Sequence, residues 1–267
     1  MNANRITKLC RLLLLLALAG SAGCGYFQSQ SHKDREEEKW PEDRLYYAAK
    51  DRLDSGSCEG AIEYYEKLQT RYPFGVYTQQ AQLELSYCYY RTDDPGQAIA
   101  TIDRFIKLYP SHAHMAYAFY LRGLINFGRG KGLTARWLPK DPSQRDPGAS
   151  LQSFQDFGEL IQRFPDSVYV EDAQFRMRHL RNILAQHEVN VANYYMRRGA
   201  FVAAANRARY VVENYQQTPA MPEALVLLAK SYKVLDLNDL AGDALKVLEL
   251  NYPNHPGVEE VKATVVR

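Results

Sequence analysis

Small and apolar residues recur along the chain with the spacing of one helix face. Five times, a small residue is followed four and seven residues later by packing residues and eleven residues later by an aromatic residue. Steps of four and three residues mark one face of an α-helix. The five sets are Ala61, Tyr65, Leu68 and Tyr72; Ala98, Ile102, Phe105 and Tyr109; Ser153, Phe157, Leu160 and Phe164; Ala204, Ala208, Val211 and Tyr215; and Ala241, Leu245, Leu248 and Tyr252. The pattern predicts five related helices.

Each of these helices has a predicted partner that precedes it. Proline follows the aromatic residue in four of the five sets, and Gln216 takes its place in the fourth. A proline at this point stops the helix. Twelve residues before the small position stands another small residue: Ala49, Ser86, Ala192 or Ala229. Because small residues let two helices cross closely, the sequence predicts a two-helix unit that occurs five times.

The third and fourth units are longer than the others. Residues 128–146 are rich in glycine, proline and polar residues, which predicts a looped insertion. Deleting 18 residues there restores the register and places Gly123 at the small position of the third unit's first helix. Residues 169–198 contain neither proline nor glycine, so they predict one overlong first helix in the fourth unit.

The amino terminus has the pattern of a secretory signal. Three basic residues precede an apolar run at 12–19, and small residues at 21–23 lead into Cys24. The run is too short to cross a hydrocarbon core of about 30 Å. The small residues and the cysteine resemble a bacterial lipobox, although Ser21 stands where leucine is usual. We predict that residues 1–23 are a lipoprotein signal and that Cys24 is lipidated; the alternative is an ordinary signal with a coincidental cysteine. Gly25, where inner-membrane lipoproteins of enterobacteria carry aspartate, favours the outer membrane.

Composition limits the function of the mature chain. Removal of residues 1–23 changes the formal net charge from +2 to −1, so the basic excess of a nucleic-acid-binding protein is missing. Residues 24–41 are charged and poor in apolar side chains, which predicts a flexible tether, and residues 254–267 form a carboxy-terminal tail. Cys58 and Cys88 lie in helical patterns, where packed free thiols are favoured over a disulfide.

No motif for catalysis or metal binding is found. GxSxG, P-loop, HExxH and CxxC patterns are missing, and His112 and His114 have no nearby carboxylate or cysteine. We therefore expect no catalytic residue, metal or cofactor. Tyrosine is abundant, with 20 residues and several doublets. In stacked helix pairs, one tyrosine of a doublet can pack while the other reaches a face that captures peptides.

The repeated unit resembles the tetratricopeptide repeat (TPR). The sequence thus predicts an all-α fold, an α-solenoid of about five TPR-like helix pairs over residues 42–253. Four segments, at 71–83, 100–106, 145–147 and 194–207, are similar to the BamD (ComL) family. That family is the lipidated component of the outer-membrane β-barrel assembly machine.

The resemblance implies a non-enzymatic adaptor on the periplasmic side of the outer membrane. In the family, carboxy-terminal repeats hold the POTRA region of BamA, alongside other Bam lipoproteins, and amino-terminal repeats receive unfolded barrel proteins. For partner docking the resemblance favours Arg197, Arg198 and Arg207. They belong to a set of seven arginines between residues 176 and 209, a range in which Glu188 is the one acidic residue. For peptide binding we expect Tyr72, Phe74 and Gly75, the glycine because it leaves open space for a peptide backbone and allows a positive φ.

Two other functions are compatible with parts of the sequence. A TPR lipoprotein that assists cell-wall or pilus assembly would share the fold and the anchor, but its segments would differ from those at 71–83 and 194–207. A hydrolase with its site in the 128–146 insertion would have Asp141 and Asp146 available, but no histidine or cysteine beside them.

Overall fold

The computed structural model describes residue 37, residues 39–129 and residues 141–264. Every regular element in these ranges is helical and none is a strand, which confirms the predicted all-α fold. A short 3₁₀-helix covers Pro142–Gln144. The α-helices in chain order are α1 (Glu42–Asp54), α2 (Cys58–Arg71), α3 (Thr78–Arg91), α4 (Pro95–Leu108), α5 (Met115–Arg129), α6 (Gly148–Arg163), α7 (Val170–Arg197), α8 (Phe201–Asn214), α9 (Met221–Val234), α10 (Asn238–Asn251) and α11 (Gly257–Ala263).

The chain divides into two compact units, and the boundary between Ala81 and Gln82 lies inside α3. In the first unit α1 packs on α2, with Leu45 and Ala49 buried on one helix and Ala61, Tyr65 and Leu68 buried on the other. In the second unit consecutive helices pack as α5 on α6, α6 on α7, α7 on α8, α8 on α9 and α9 on α10. The predicted small positions of all five second helices are buried, which confirms the packed face.

The second helix of every pair ends in the same way. The aromatic residue after the helix has left the helical conformation, with φ between −121° and −138°, and donates its N–H to the carbonyl four residues earlier. These residues are Tyr72, Tyr109, Phe164, Tyr215 and Tyr252. Tyr215 has this geometry although Gln216 follows it. The helix end therefore does not require the proline.

The first helices end in a left-handed residue. At Gly56, Asp93, Gly199 and Asp236, φ lies between +58° and +84°. The N–H of the following residue then reaches back to a carbonyl five positions earlier, as in Ser57 to Arg52 at 2.8 Å. This is the Schellman arrangement, in which the left-handed position favours glycine. The turns at Asp93 and Asp236 could not be recognised from the sequence, because aspartate stands where glycine is usual.

Small residues mediate the helix crossings in the second unit. Ser86 on α3 donates its hydroxyl to the carbonyl of Ala98 on α4 at 3.0 Å. In the next pair the order is reversed, because Ser153 on α6 donates to the carbonyl of Gly123 on α5 at 2.9 Å. A methyl group at Gly123 would lie 2.5 Å from the ring of Phe157. Gly123 therefore occupies the small position that the corrected register predicts.

A buried polar cluster lies between α5 and α6. Asp156 is fully buried and accepts a hydrogen bond from Asn126 Nδ2 at 2.7 Å. Arg122 Nε lies 2.9 Å from Asp156 Oδ1, but its N–H does not point at that oxygen, so the contact is an ion pair without a hydrogen bond. The same guanidinium reaches Glu159 at 2.8 Å. Burial raises the pKa of Asp156, while Arg122 and Asn126 oppose this effect.

The structure also bears on the two long units. Helix α5 runs to Arg129, two residues into the segment predicted as an insertion, and residues 130–140 lie outside the described ranges. Near the end of the insertion, Ser143 is buried against α7. Its carbonyl lies 2.9 Å from Nδ1 of His187 on that helix. The predicted overlong helix is confirmed as the 28-residue α7. In the predicted tail, α11 packs on α9, where Lys233 Nζ donates to the carbonyl of Val261 at 2.6 Å.

The amino-terminal edge of the first unit differs from the prediction. Glu37 is only 1% exposed, and Trp40 stacks on Tyr64 with ring centroids 5.9 Å apart. The prediction of a tether that continues to residue 41 is therefore wrong at its carboxy-terminal end. Composition misled here because a charged residue can be buried where partners surround it. Cys58 and Cys88 are buried, and within the described part of the chain neither forms a disulfide. Among the described helices, none has the length and apolar character needed to cross a membrane.

Candidate functional sites

The predicted peptide-binding residues lie on the turn between α2 and α3, in the first unit. Tyr72 is half-buried, and its hydroxyl donates to the carbonyl of Trp40 at 3.1 Å. Phe74 is 98% exposed and Val76 is 88% exposed. Two large apolar side chains are therefore exposed on the short turn that follows Tyr72. Exposed apolar side chains are suitable contacts for an apolar peptide side chain.

The expected reasons for glycine at position 75 are both wrong. Its backbone does not take a positive φ, which the described glycines adopt only at Gly56 and Gly199. The space beside its α-carbon is also not open, because a methyl group there would overlap the carboxylate of Glu42. That carboxylate accepts the backbone N–H of Tyr77 at 2.7 Å. Gly75 therefore makes room for a side chain that fixes the start of α3.

An aromatic cluster of Tyr46, Tyr47 and Tyr77 adjoins this turn and was not predicted as part of the peptide-binding site. Tyr46 stacks on Tyr77 with centroids 4.8 Å apart, and Tyr47 meets Tyr77 edge to face at 5.8 Å. Tyr47 is 59% exposed, and its hydrogen bond to Tyr77 raises the pKa of the Tyr77 phenol. The signal in the sequence was the doublet at 46 and 47, in which one ring packs and its neighbour faces solvent. Tyrosine rings bury contact area at low entropic cost.

The predicted docking arginines lie near the end of α7 and on α8, in the second unit. Arg197 and Arg198 are exposed, and the guanidinium of Arg198 lies 5.4 Å from the ring centroid of Tyr194. Arg207 Nη1 is 3.0 Å from Glu188 Oε2, with 48% of the arginine side chain exposed. An open hollow adjoins it, and the lining residues are Tyr195, Ala203, Asn206, Arg207 and Tyr210. The hollow offers a guanidinium and two phenol rings to a partner.

The arginines between 176 and 209 do not form one unpaired basic surface. Arg176 pairs with Asp172, Arg207 with Glu188, and Arg209 lies 3.9 Å from Glu213. Asp172 and Glu213 lie just outside residues 176–209, the range for which the charges were compared. Each lies four residues from its arginine, so it is a neighbour on the same helix face. The positive charge available to a partner is therefore smaller than predicted, and it lies at the exposed guanidinium groups.

Two predictions remain, the lipidation of Cys24 and the expectation of no metal site. Cys24 lies outside the described residues. Within the described ranges, no three or more histidine, cysteine or acidic side chains are grouped so that they could hold a metal ion.

Comparison with known proteins identifies the family. The model of the YfiO family, described as an outer membrane lipoprotein, matches residues 38–248. Relatives named outer membrane protein assembly factor BamD include one from Neisseria meningitidis serogroup B, 40% identical over 94% of both chains. The chain belongs to the BamD family. Another member, from Xylella fastidiosa strain Temecula1, is 38% identical over 86% of this chain and 78% of its own. A third, from Vibrio cholerae, is 39% identical over 79% of this chain and 88% of its own.

Both candidate sites lie inside the range that the family model matches, whereas Cys24 lies before it. The membership removes the reason to prefer a cell-wall or pilus scaffold. Among solved structures, the TPR domain of P58(IPK) matches with a TM-score of 0.41 and 15% identity, over 88% of this chain and 67% of that chain. This similarity is too low to bear on function, and the fold class rests on the helix pairs described above.

Proposed function

We propose that this chain is an outer membrane protein assembly factor that acts as an adaptor and catalyses no reaction of its own. The observation that carries the proposal is the 40% identity, over 94% of both chains, with a protein of that name. A scaffold of helix pairs suits this role, because stacked repeats present extended faces on which two partners can be held at once.

The proposed location is the periplasmic side of the outer membrane. The family is one of outer membrane lipoproteins. In this proposal Cys24 carries the lipid, and the residues before Glu37 connect the anchor to the first helix pair. A lipid anchor keeps the adaptor at the surface where barrels are inserted, and it leaves the helical units outside the bilayer.

The proposed substrates are unfolded outer-membrane β-barrel proteins, and the first unit receives them. Support comes from the exposed Phe74, from Tyr72 beside it and from the tyrosine cluster at Tyr46, Tyr47 and Tyr77. Barrel proteins end in alternating apolar and aromatic residues, which fit an extended peptide laid against such rings. Gly75 contributes indirectly, because it lets Glu42 hold the backbone of Tyr77.

The proposed partners are the POTRA region of BamA and the other Bam lipoproteins, and BamA docks on the second unit. Arg197, Arg198 and Arg207 offer exposed guanidinium groups, and the hollow beside Arg207 has tyrosine walls. Arginine and tyrosine are the residue types most often found at binding hot spots. Because Glu188 already pairs with Arg207, a partner carboxylate would share or replace that contact.

Co-isolation tests this proposal. The tagged chain is purified from solubilised outer membranes and its partners are identified by mass spectrometry; we expect BamA and other Bam lipoproteins. Arg207→Glu should reduce BamA recovery by about tenfold or more, since a charge-assisted contact contributes roughly 1.5–3 kcal/mol. Arg209→Glu is the matched control, because it makes the same change two residues along α8. A wild-type chain that brings down no BamA would refute the proposal.

A further inference from the structure

Glu37 and Trp40, which precede α1, are held on α2 in the manner of a bound peptide. Four side chains of α2 and its end donate to them, and we call these four the α2 donor strip: Tyr64, Lys67, Arg71 and Tyr72. Two of the donors meet the carboxylate of Glu37, where Lys67 Nζ lies at 2.6 Å and the Tyr64 hydroxyl at 3.1 Å. The other two meet main-chain carbonyls: Arg71 Nη1 reaches that of Glu37 at 2.7 Å, and Tyr72 reaches that of Trp40 at 3.1 Å.

The carboxylate position is a built site. Glu37 is 1% exposed, and its ion-pair partner Lys67 has 27% of its side chain exposed. Burial disfavours the charge on Lys67, but hydrogen bonds to Glu37 and Glu63 outweigh burial and raise the pKa of the ammonium group. The charged ammonium of Lys67 and the hydroxyl of Tyr64 together form a partly buried pair of hydrogen-bond donors, which favours a carboxylate as the ligand.

An aromatic position adjoins the carboxylate position. The ring of Trp40 stacks on that of Tyr64, with an angle of 6° between the two planes, and the guanidinium of Arg44 lies 4.1 Å from the Trp40 centroid. Tyr64 thus binds the carboxylate through its hydroxyl and the aromatic ring through its face. Because both features belong to one side chain, a ligand can satisfy both if its carboxylate and its ring lie on the same or adjacent residues.

These contacts specify a chemical class of ligand. The bonds from Arg71 and Tyr72 go to main-chain carbonyls, which every peptide possesses. The contacts of Tyr64 and Lys67 require a carboxylate and an aromatic ring close together. A peptide chain that ends in an aromatic residue carries both at its terminus. Glu37 and Trp40 reproduce this pair with two side chains three residues apart.

We propose that the α2 donor strip binds the carboxyl terminus of an unfolded barrel protein, and that Glu37 and Trp40 occupy it as an internal ligand until such a terminus displaces them. This inference rests on the proposed function, and it adds a defined carboxylate site and a competitor within the chain. An internal ligand lowers the apparent affinity for the external one by the fraction of molecules in which the strip is free. If the segment is docked in about nine molecules of ten, releasing it should raise the apparent affinity about tenfold.

The test measures binding of a fluorescent peptide to the purified full-length chain. One peptide ends in phenylalanine with a free carboxylate, and the second has the same sequence but a carboxamide end. Glu37→Gln and Trp40→Ala weaken the internal ligand in two independent ways, and circular dichroism checks that both variants fold. Glu63→Gln is the matched control, because Glu63 also contacts Lys67, at 2.7 Å, but is not part of the docked segment.

We expect the free-carboxylate peptide to bind about tenfold more tightly to Glu37→Gln and to Trp40→Ala than to the wild type, and more tightly than to Glu63→Gln. Lys67→Met should remove the preference over the carboxamide. Equal binding of the two peptides, or Glu37→Gln binding no better than Glu63→Gln, would show that Glu37 and Trp40 only cap the first helix pair. BamA co-isolation separates the two claims, because it does not depend on the strip and would stay intact if only this inference failed.

Discussion

The helix crossing at Gly123 allows a sharp test of how the pairs pack. Gly123→Ala adds one methyl group, which would lie 2.5, 2.7 and 3.0 Å from three atoms of the Phe157 ring. Non-bonded carbon atoms do not approach this closely, and Phe157 is fully buried, so its ring cannot turn out into solvent. Either the ring or the whole of α6 must shift. The hydroxyl of Ser153, which bonds to the carbonyl of Gly123, would shift with it.

The expected cost follows from two opposing effects. Overpacking a well-packed core costs about 1–3 kcal/mol. Replacing glycine by alanine inside a helix returns about 1 kcal/mol of backbone preference. Gly242→Ala is the matched control, because Gly242 also lies inside a helix of the second unit but a methyl group there meets nothing within 4 Å. The helix preference cancels in the comparison, so Gly123→Ala should be less stable than Gly242→Ala by about 1–3 kcal/mol.

Urea unfolding followed by far-ultraviolet circular dichroism gives both free energies of unfolding. The two substitutions lie in the same unit, which makes their midpoints comparable. We expect Gly242→Ala at or above the wild type and Gly123→Ala below it. If the two variants were equally stable, α5 and α6 would not cross at Gly123, and the register assigned to the third pair would be incorrect.

Four further substitutions have defined outcomes. Arg122→Met should destabilise the protein by about 3–5 kcal/mol, because it leaves the Asp156 carboxylate buried and uncompensated. Burial raises the pKa of Asp156 above its ordinary value of 3.8, so ionising this carboxyl at higher pH lowers the free energy of unfolding. Arg122 opposes this rise in pKa, so without it the urea midpoint should fall more steeply toward neutral pH than in the wild type. Gly75→Val should lower the free energy of unfolding by about 1–3 kcal/mol, because it displaces Glu42, and it should weaken peptide binding with BamA binding unchanged. Phe74→Ala should weaken peptide binding in a fluorescence titration without a loss of stability. Cys24→Ser should abolish labelling with a fatty-acid probe, and the wild type should fractionate with the outer membrane on a density gradient; wild type in the inner-membrane fraction would contradict the sorting prediction.

Local rules were sufficient to predict most of the fold. The helix pairs, the buried small positions and the long α7 depend on residues three to eleven apart in sequence, and the physics of one helix face determines them. The same rules placed Gly123 correctly once the insertion was removed. Gln216 did not disturb the fourth pair, because α8 ends with the backbone N–H of Tyr215 bonded to the carbonyl of Val211, a contact that needs no proline.

The sites were harder to predict because they depend on contacts between distant residues. The burial of Glu37 requires Tyr64 and Lys67, which lie 27 and 30 residues away, and a charged run by itself indicates only a solvated segment. The role of Gly75 depends in the same way on Glu42, 33 residues earlier. In the basic region, Arg207 on α8 pairs with Glu188 on α7, a contact between two helices that spacing along one helix does not predict.

The central claim is that this chain promotes the assembly of outer-membrane β-barrels. The most direct measurement is controlled depletion of the chain in its own cells, with folded barrels quantified in the outer membrane by their heat-modifiable migration on gels. We expect folded barrels to decline while unfolded forms accumulate in the periplasm, and we expect the wild-type chain, but not Arg207→Glu, to restore the folded barrels. Unchanged levels of folded barrels after depletion would contradict it.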